Sequence, residues 1–142
     1  MERGTLMNVE NALYPTTDRI ADLVVESSDQ PIVMLNLLKF RERAAYVDGR
    51  ASELTGRDAY MLYGEKMTEL VESEGGRMVF AGEVMSLVIG TVEGMWDAVA
   101  LVEYPSSSAF ARIVTSPAVA AIAVHRAAGL AGQLLIRVSP QI

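Results

Sequence analysis

The stretch PIVMLNLLKF, residues 31–40, decides the fold. Its alternation predicts a strand with Val33, Leu35 and Leu37 on one face and Ile32, Met34, Leu38 and Phe40 on the other, Lys39 closing the first. Both faces are apolar, and Asn36 stands in the middle of the second. Leaving a buried amide unpaired costs about 1–3 kcal/mol. Asn36 therefore needs a partner: a ligand in a small polar pocket, neighbouring backbone groups, or a buried water.

Upstream, PTTDRIADLVVESSD predicts a short amphipathic helix capped by Thr16 or Thr17, with Asp18 at its positive end and Ile20, Leu23 and Val24 as its buried stripe. Downstream, RERAAYVDGRASELTG is too long and polar for a tight turn. A second helix follows, with Thr55 and Asp58 at capping-box spacing and Tyr60, Tyr63, Met67, Leu70 and Val71 along one face. Gly75 or Gly76 supplies its left-handed stop. RMVFAGEVMSLVIG, residues 77–90, predicts a long strand bent or bulged at Gly82. The turn TVEG leads to a third strand in MWDAVALVEYP. Ser106 caps a short helix, Ser116 and Pro117 begin another that Gly129 ends, and QLLIRV is the last strand.

The order is α-β-α-β-β-α-α-β. Setting aside the leading helix and merging the broken one leaves β-α-β-β-α-β, the ferredoxin-like α+β pattern: an antiparallel four-stranded sheet with helices on one face. Residues 1–15 are expected to be an N-terminal extension and residues 16–142 a single domain. A lone sheet of this kind is wet on its helix-free face and alternates cleanly. Here the strands are apolar on both faces, so a second copy is the simplest cover. Two such sheets face to face make a dimeric α+β barrel.

Composition narrows the function classes. The chain has 142 residues, 51% hydrophobic and 21% charged, with a formal net charge of −6. An acidic chain without a basic stripe is a poor match for nucleic acid or an anionic membrane. It has no cysteine and one histidine, which excludes disulfides, thiol catalysis, thiolate metal sites and a multi-histidine site within one chain. No apolar run approaches the roughly 20 residues of a membrane span, and MERGTLMNVENALYP lacks a signal peptide's apolar core. A cytoplasmic location is expected by default, and Met7 offers an alternative start.

The segments VMLNLLKF, GRDAYMLYGE, GGRMVFAGEV, WDAVALVEYPS and SPAVAAIAVHRAAGL together resemble the domain of unknown function family 1330 (DUF1330), of the dimeric α/β-barrel superfamily, over residues 30–138. The leading helix resembles that of a longer subgroup. Superfamily relatives include cofactor-independent and haem-degrading monooxygenases, muconolactone isomerase and ligand-sensing domains of transcription regulators. The resemblance implies the fold and a homodimer; it carries no reaction, because fold does not fix function.

Several residues are candidates for chemistry. Asn36 would hold a ligand carbonyl or hydroxyl. Tyr60 and Tyr63 would line a pocket mouth, Tyr63 also acting as a weak acid, or simply pack in the core. Arg57 would bind an anionic group or be a solvated charge. Trp96 would wall a pocket or plug the core, while Asp97 caps a turn or pairs with Lys39 or Arg41. His125 would serve as a general base, although His125 and Arg126 are also both favoured as cations in the last helical turn by the helix dipole. Glu83 would lie at the sheet edge or enter the barrel as an acid/base group. The serines of YPSSSAF read as caps. No G-x-S-x-G, Walker, G-x-G-x-x-G or H-E-x-x-H motif is present. Neither a cofactor nor a metal is implied.

Taken together, these residues predict a homodimer with an apolar pocket between sheet and helices. Three functions fit: a cofactor-independent oxygenase or isomerase using Asn36, Tyr63 and His125, a non-catalytic small-molecule binder or stress-related accessory protein, or a bare dimeric scaffold.

Overall fold

The computed structural model describes residues 9–26 and 28–141; Met7 and residues 1–8 of the expected extension lie outside them. Eight elements follow in the predicted order: α1 (Thr17–Val25), β1 (Ile32–Phe40), α2 (Gly56–Ser73), β2 (Arg77–Glu83), β3 (Ala98–Tyr104), α3 (Ser107–Val114), α4 (Pro117–Gly129) and β4 (Leu130–Val138). The strands form one antiparallel sheet in the order β2-β3-β1-β4, the ferredoxin-like arrangement. The expected α+β fold is the one observed.

Local chemistry sets the helix starts. The Thr16, Thr55, Ser106 and Ser116 side chains each accept a hydrogen bond from the backbone N–H three residues on, satisfying a donor that the first turn leaves open. Gly75 follows α2 at φ +89°, where any side chain would be strained. The break between α3 and α4 is a 75° bend at Thr115 and Ser116. No single helix among the described residues is long and apolar enough to cross a membrane.

On the helix side of the sheet, Ile32, Met34, Val102 and Tyr104 pack against Met67 and Val71 of α2, Phe110 and Ile113 of α3, and Val119 of α4. Each fully buried side chain of this size contributes about 1.5–3 kcal/mol. A smaller cluster of Leu38, Ala98 and Leu130 extends the core past the start of α2. There Gly56 and Gly129 bring two backbones together. A Cβ on Gly56 would collide with Arg41 and the Gly129 carbonyl, and one on Gly129 with the Gly56 carbonyl. The register places Val33, Leu35 and Leu37 on the opposite, helix-free face, beside Val99 and Leu101 of β3 and Leu134, Ile136 and Val138 of β4.

Three local expectations are corrected. The second strand stops at Glu83 rather than residue 90, because its partner β3 begins only at Ala98, opposite Glu83, and residues 85–94 have no strand paired beside them. The Asp97 N–H donates to the Leu38 carbonyl at 2.8 Å, and its carboxylate accepts from the Phe40 N–H at 2.8 Å and from Lys39 at 3.3 Å. Beyond the bond from Val84 N–H to the Asp97 carbonyl, residues 85–94 make no hydrogen bond within the described chain. The irregularity in β2 falls between Met78 and Phe80, not at Gly82. In α1, Ile20 and Leu23 are only half-buried and Val24 is 54% exposed, since the helix rests at the rim of the core.

Candidate functional site

The Asn36 amide faces the helices and spends its hydrogen bonds inside the protein. Its Nδ2 donates to the carbonyls of Met34 at 3.3 Å and Ala100 at 3.2 Å, and its Oδ1 accepts from Gln133 Nε2 at 2.8 Å. The Gln133 Oε1 in turn accepts from an Arg126 terminal nitrogen at 2.8 Å. A strand residue thus fixes a neighbouring strand residue, which fixes a cation in the last turn of α4. Arg126 also lies over two aromatic rings, 5.0 Å from the centroid of Tyr14 and 5.9 Å from that of Tyr63. Such cation–π contacts contribute about 0.5–1 kcal/mol where exposed and more where dry.

These groups line one cavity of about 1010 Å³ between the sheet and the helices. Its floor is Met34, Val102 and Tyr104, its walls include Met67 and Phe110, and Ile20 and Leu23 of α1 stand at its mouth. The segment before α1 crosses the end of β4, where Ala12 N–H donates to the Gln133 carbonyl at 3.3 Å. Tyr60 and Tyr63, with ring centroids 5.6 Å apart, come from successive turns of α2. Burial pushes both phenols up from their ordinary value, and for Tyr60 the neighbouring Tyr63 adds to the rise; Arg126 opposes it in both. Burial raises Tyr104 as well. The phenols are accordingly neutral O–H groups across the ordinary pH range, able to donate but poor bases.

Of the expected site residues, the fold brings Asn36, Tyr60 and Tyr63 into this cavity. Arg57, Trp96 and His125 are not among the residues that line it. Arg57 pairs with Glu83 at 2.9 Å and lies 4.7 Å over the Phe40 ring. Glu83 is thereby placed at the outer strand, the edge position. Trp96 borders a shallow depression of about 140 Å³ with Lys39 and Met95. His125 Nδ1 shares a 2.7 Å hydrogen bond with the Tyr46 hydroxyl, and the rings meet edge to face. Its partner is in the polar connection after β1, where no sequence spacing points to it. Among the described residues no group of three His, Cys, Asp or Glu side chains is placed to hold a metal.

Arg126, Gln133 and Tyr104 are the site residues that sequence reasoning missed. The signal for Arg126 was its position as a lone guanidinium in an otherwise apolar PAVAAIAVHRAAG. For Gln133 it was a polar residue at the start of a strand whose register was not yet known.

Fold and cavity together define the class: a ferredoxin-like α+β domain with a mostly apolar chamber between its sheet and helices. The sequence profile of the domain of unknown function DUF1330 matches residues 44–138, and the chain belongs to that family. It is similar to the crystal structure of RPA0582, a protein of unknown function from Rhodopseudomonas palustris, at 34% identity and TM-score 0.83 over 94% of this chain and 99% of that one. The methylated form of RPA0582 matches at 36% identity and TM-score 0.84, over 93% and 96%. A dimeric protein of unknown function and ferredoxin-like fold from Bacteroides fragilis aligns at 13% identity and TM-score 0.43, over 78% and 96%. No curated protein matches the chain.

Proposed function

We propose that this protein is a homodimer that binds a small, largely apolar molecule in the chamber between sheet and helices. The observation that supports it is the distribution of polarity in the chamber. Hydrophobic side chains make up most of the lining, and Arg126, Tyr63 and Tyr60 form a cluster of neighbouring donors within it. That is the pattern of a site in which apolar area gives affinity and a few polar groups give orientation. Asn36 contributes by positioning Gln133 and Arg126, since its own hydrogen bonds are used within the protein.

Binding without turnover is the favoured form of this reading. Histidine is the side chain best suited to proton transfer near neutral pH, and His125 packs against Tyr46 rather than lining the chamber. Tyr63 remains as a proton donor, which is the part of the oxygenase or isomerase alternative that the geometry favours. A thermal-shift screen of small amphiphilic metabolites, with turnover assays on each hit, tests both forms. Stabilisation without product formation supports the binder, and reproducible turnover establishes the enzyme.

The homodimer is supported by the helix-free face. Leu35, Leu37, Leu101 and Ile136 form one contiguous apolar surface there, and such surfaces mark interaction sites. The segment after β2 adds to it: Met85 is 95% exposed, and Val88 and Ile89 are each 88% exposed. A second copy of the same sheet covers such a face with no other partner required.

A further inference from the structure

Arg126 is a cation without a paired anion in a mostly apolar chamber. Among the described residues it takes part in no ion pair, and its one hydrogen bond runs from a terminal nitrogen to Gln133. A guanidinium carries five N–H donors in a planar fork, so most of its donor capacity is unspent. No side-chain nitrogen or oxygen among the described residues is both buried and unpartnered, so the remaining Arg126 nitrogens are accessible, on a residue that lines the chamber. The fork is held on several sides: Gln133 takes one donor, and the Tyr14 and Tyr63 rings lie against its faces. Gln133 fixes that geometry directly through its Oε1, and Asn36 does so through Gln133. Strand residues that orient a cation while leaving its charge unpaired are the arrangement expected of a preorganised anion site.

We propose that the chamber takes a monocarboxylate with an apolar body, the carboxylate meeting the free edge of the Arg126 fork and the body lying over Met34, Met67 and Phe110. This rests on the binding reading above and names its ligand class. A planar carboxylate matches a guanidinium edge with two parallel N–H···O bonds, stronger in a partly dry site than in water. The neighbouring neutral phenols of Tyr60 and Tyr63 add donors without adding negative charge. A phosphate dianion fits less well, because it calls for a second cation beside Arg126, whose immediate neighbours Gln133, Tyr14 and Tyr63 are neutral. At the mouth, Arg137 is committed to Glu26 at 2.7 Å and to Ser107 at 3.1 Å. Arg19, Glu10 and Asp22 also stand at the mouth, and neither acid pairs with Arg126.

Calorimetric titration of the full chain at neutral pH with octanoate and hydrocinnamate, each beside its primary amide, tests the assignment. The acids are expected to bind at least about tenfold more tightly than the amides, the difference between a charge-assisted and a neutral hydrogen-bonded pair. Arg126→Gln should bring the acid-to-amide affinity ratio down to about one, while Arg126→Lys should keep part of the preference. Circular dichroism verifies the fold of each variant. Should Arg126→Gln not fold, the acid-to-amide ratios of the parent and of Arg126→Lys decide. Equal binding of acid and amide by the parent overturns the carboxylate assignment and leaves the chamber reading intact. Binding of neither at millimolar concentration overturns both.

Discussion

Gln133 Nε2 donates to Asn36 Oδ1 at 2.8 Å on a diagonal of the β1–β4 pair, where the register partner of Asn36 is Leu135 and that of Gln133 is Leu38. Asn36→Leu removes the acceptor for Gln133 and the donor for two carbonyls, and is expected to cost about 1–3 kcal/mol in urea denaturation at fixed protein concentration. In a double-mutant cycle with Gln133→Leu, the coupling should be about 0.5–1.5 kcal/mol. A variant as stable as the parent would show that the relay contributes nothing to the fold.

Gly56→Ala is expected to destabilise by about 1–3 kcal/mol or more, because its Cβ would meet backbone of Arg41 and Gly129 rather than a side chain that can turn away. Gly94→Ala, with nothing near its Cβ position, is the control and should leave the melting temperature nearly unchanged. Equal effects from both substitutions would remove the close approach as the cause.

The tyrosines predict an alkaline limit. Tyr60, Tyr63 and Tyr104 have folded pKa values above their ordinary 10.0, so above that pH the unfolded chain releases protons before the folded one does. Their contribution to stability is fully present below about pH 10 and is lost as pH rises further, each with a slope of about 1.4 kcal/mol per pH unit. Tyr63→Phe should flatten the stability profile above pH 10 in denaturant titrations. Tyrosinate absorbance that rises in full at pH 10, before any unfolding, would contradict the burial of these phenols.

Sedimentation at low micromolar concentration should give one species near twice 15.4 kDa. Leu35→Glu, in the middle of the helix-free face, should dissociate or unfold it, because a carboxylate there would be buried against a second sheet. A stable, folded parent monomer under these conditions rules out the face-to-face dimer.

His125→Gln forfeits the 2.7 Å bond to Tyr46 and is expected to cost about 0.5–1.5 kcal/mol while leaving octanoate affinity unchanged. A specific loss of affinity in a folded His125→Gln protein would return this histidine to the site.

The element order and all four helix caps were legible, because apolar periodicity and Thr or Ser before a helical run are local signals. What local signals cannot reveal is which chain segment pairs with which. Residues 84–90 have strand periodicity as good as that of β2, yet β3 begins only at Ala98, opposite Glu83, so they have no partner and the strand ends. The site shows the same division. Asn36 was visible as a polar residue in an apolar strand. Its partner Gln133 lies 97 residues away and became its neighbour only through the β1–β4 register. Arg126 and His125 were read alike, as cations suited to a helix end. The turn of α4 sends adjacent side chains in different directions, one to the chamber and the other to Tyr46.

Gln133 serves two masters, its side chain orienting Arg126 and its carbonyl holding Ala12 at the chamber mouth. The second tie is a single backbone hydrogen bond of 3.3 Å, with the Leu13 and Tyr14 contacts beside it, so the segment before α1 is expected to detach more readily than the sheet ladder opens. Access is then kinetically separate from folding. The Ala12 amide should exchange its hydrogen far faster than those of β1 and β3, and the residence time of a bound molecule should follow that local opening rather than the global unfolding rate.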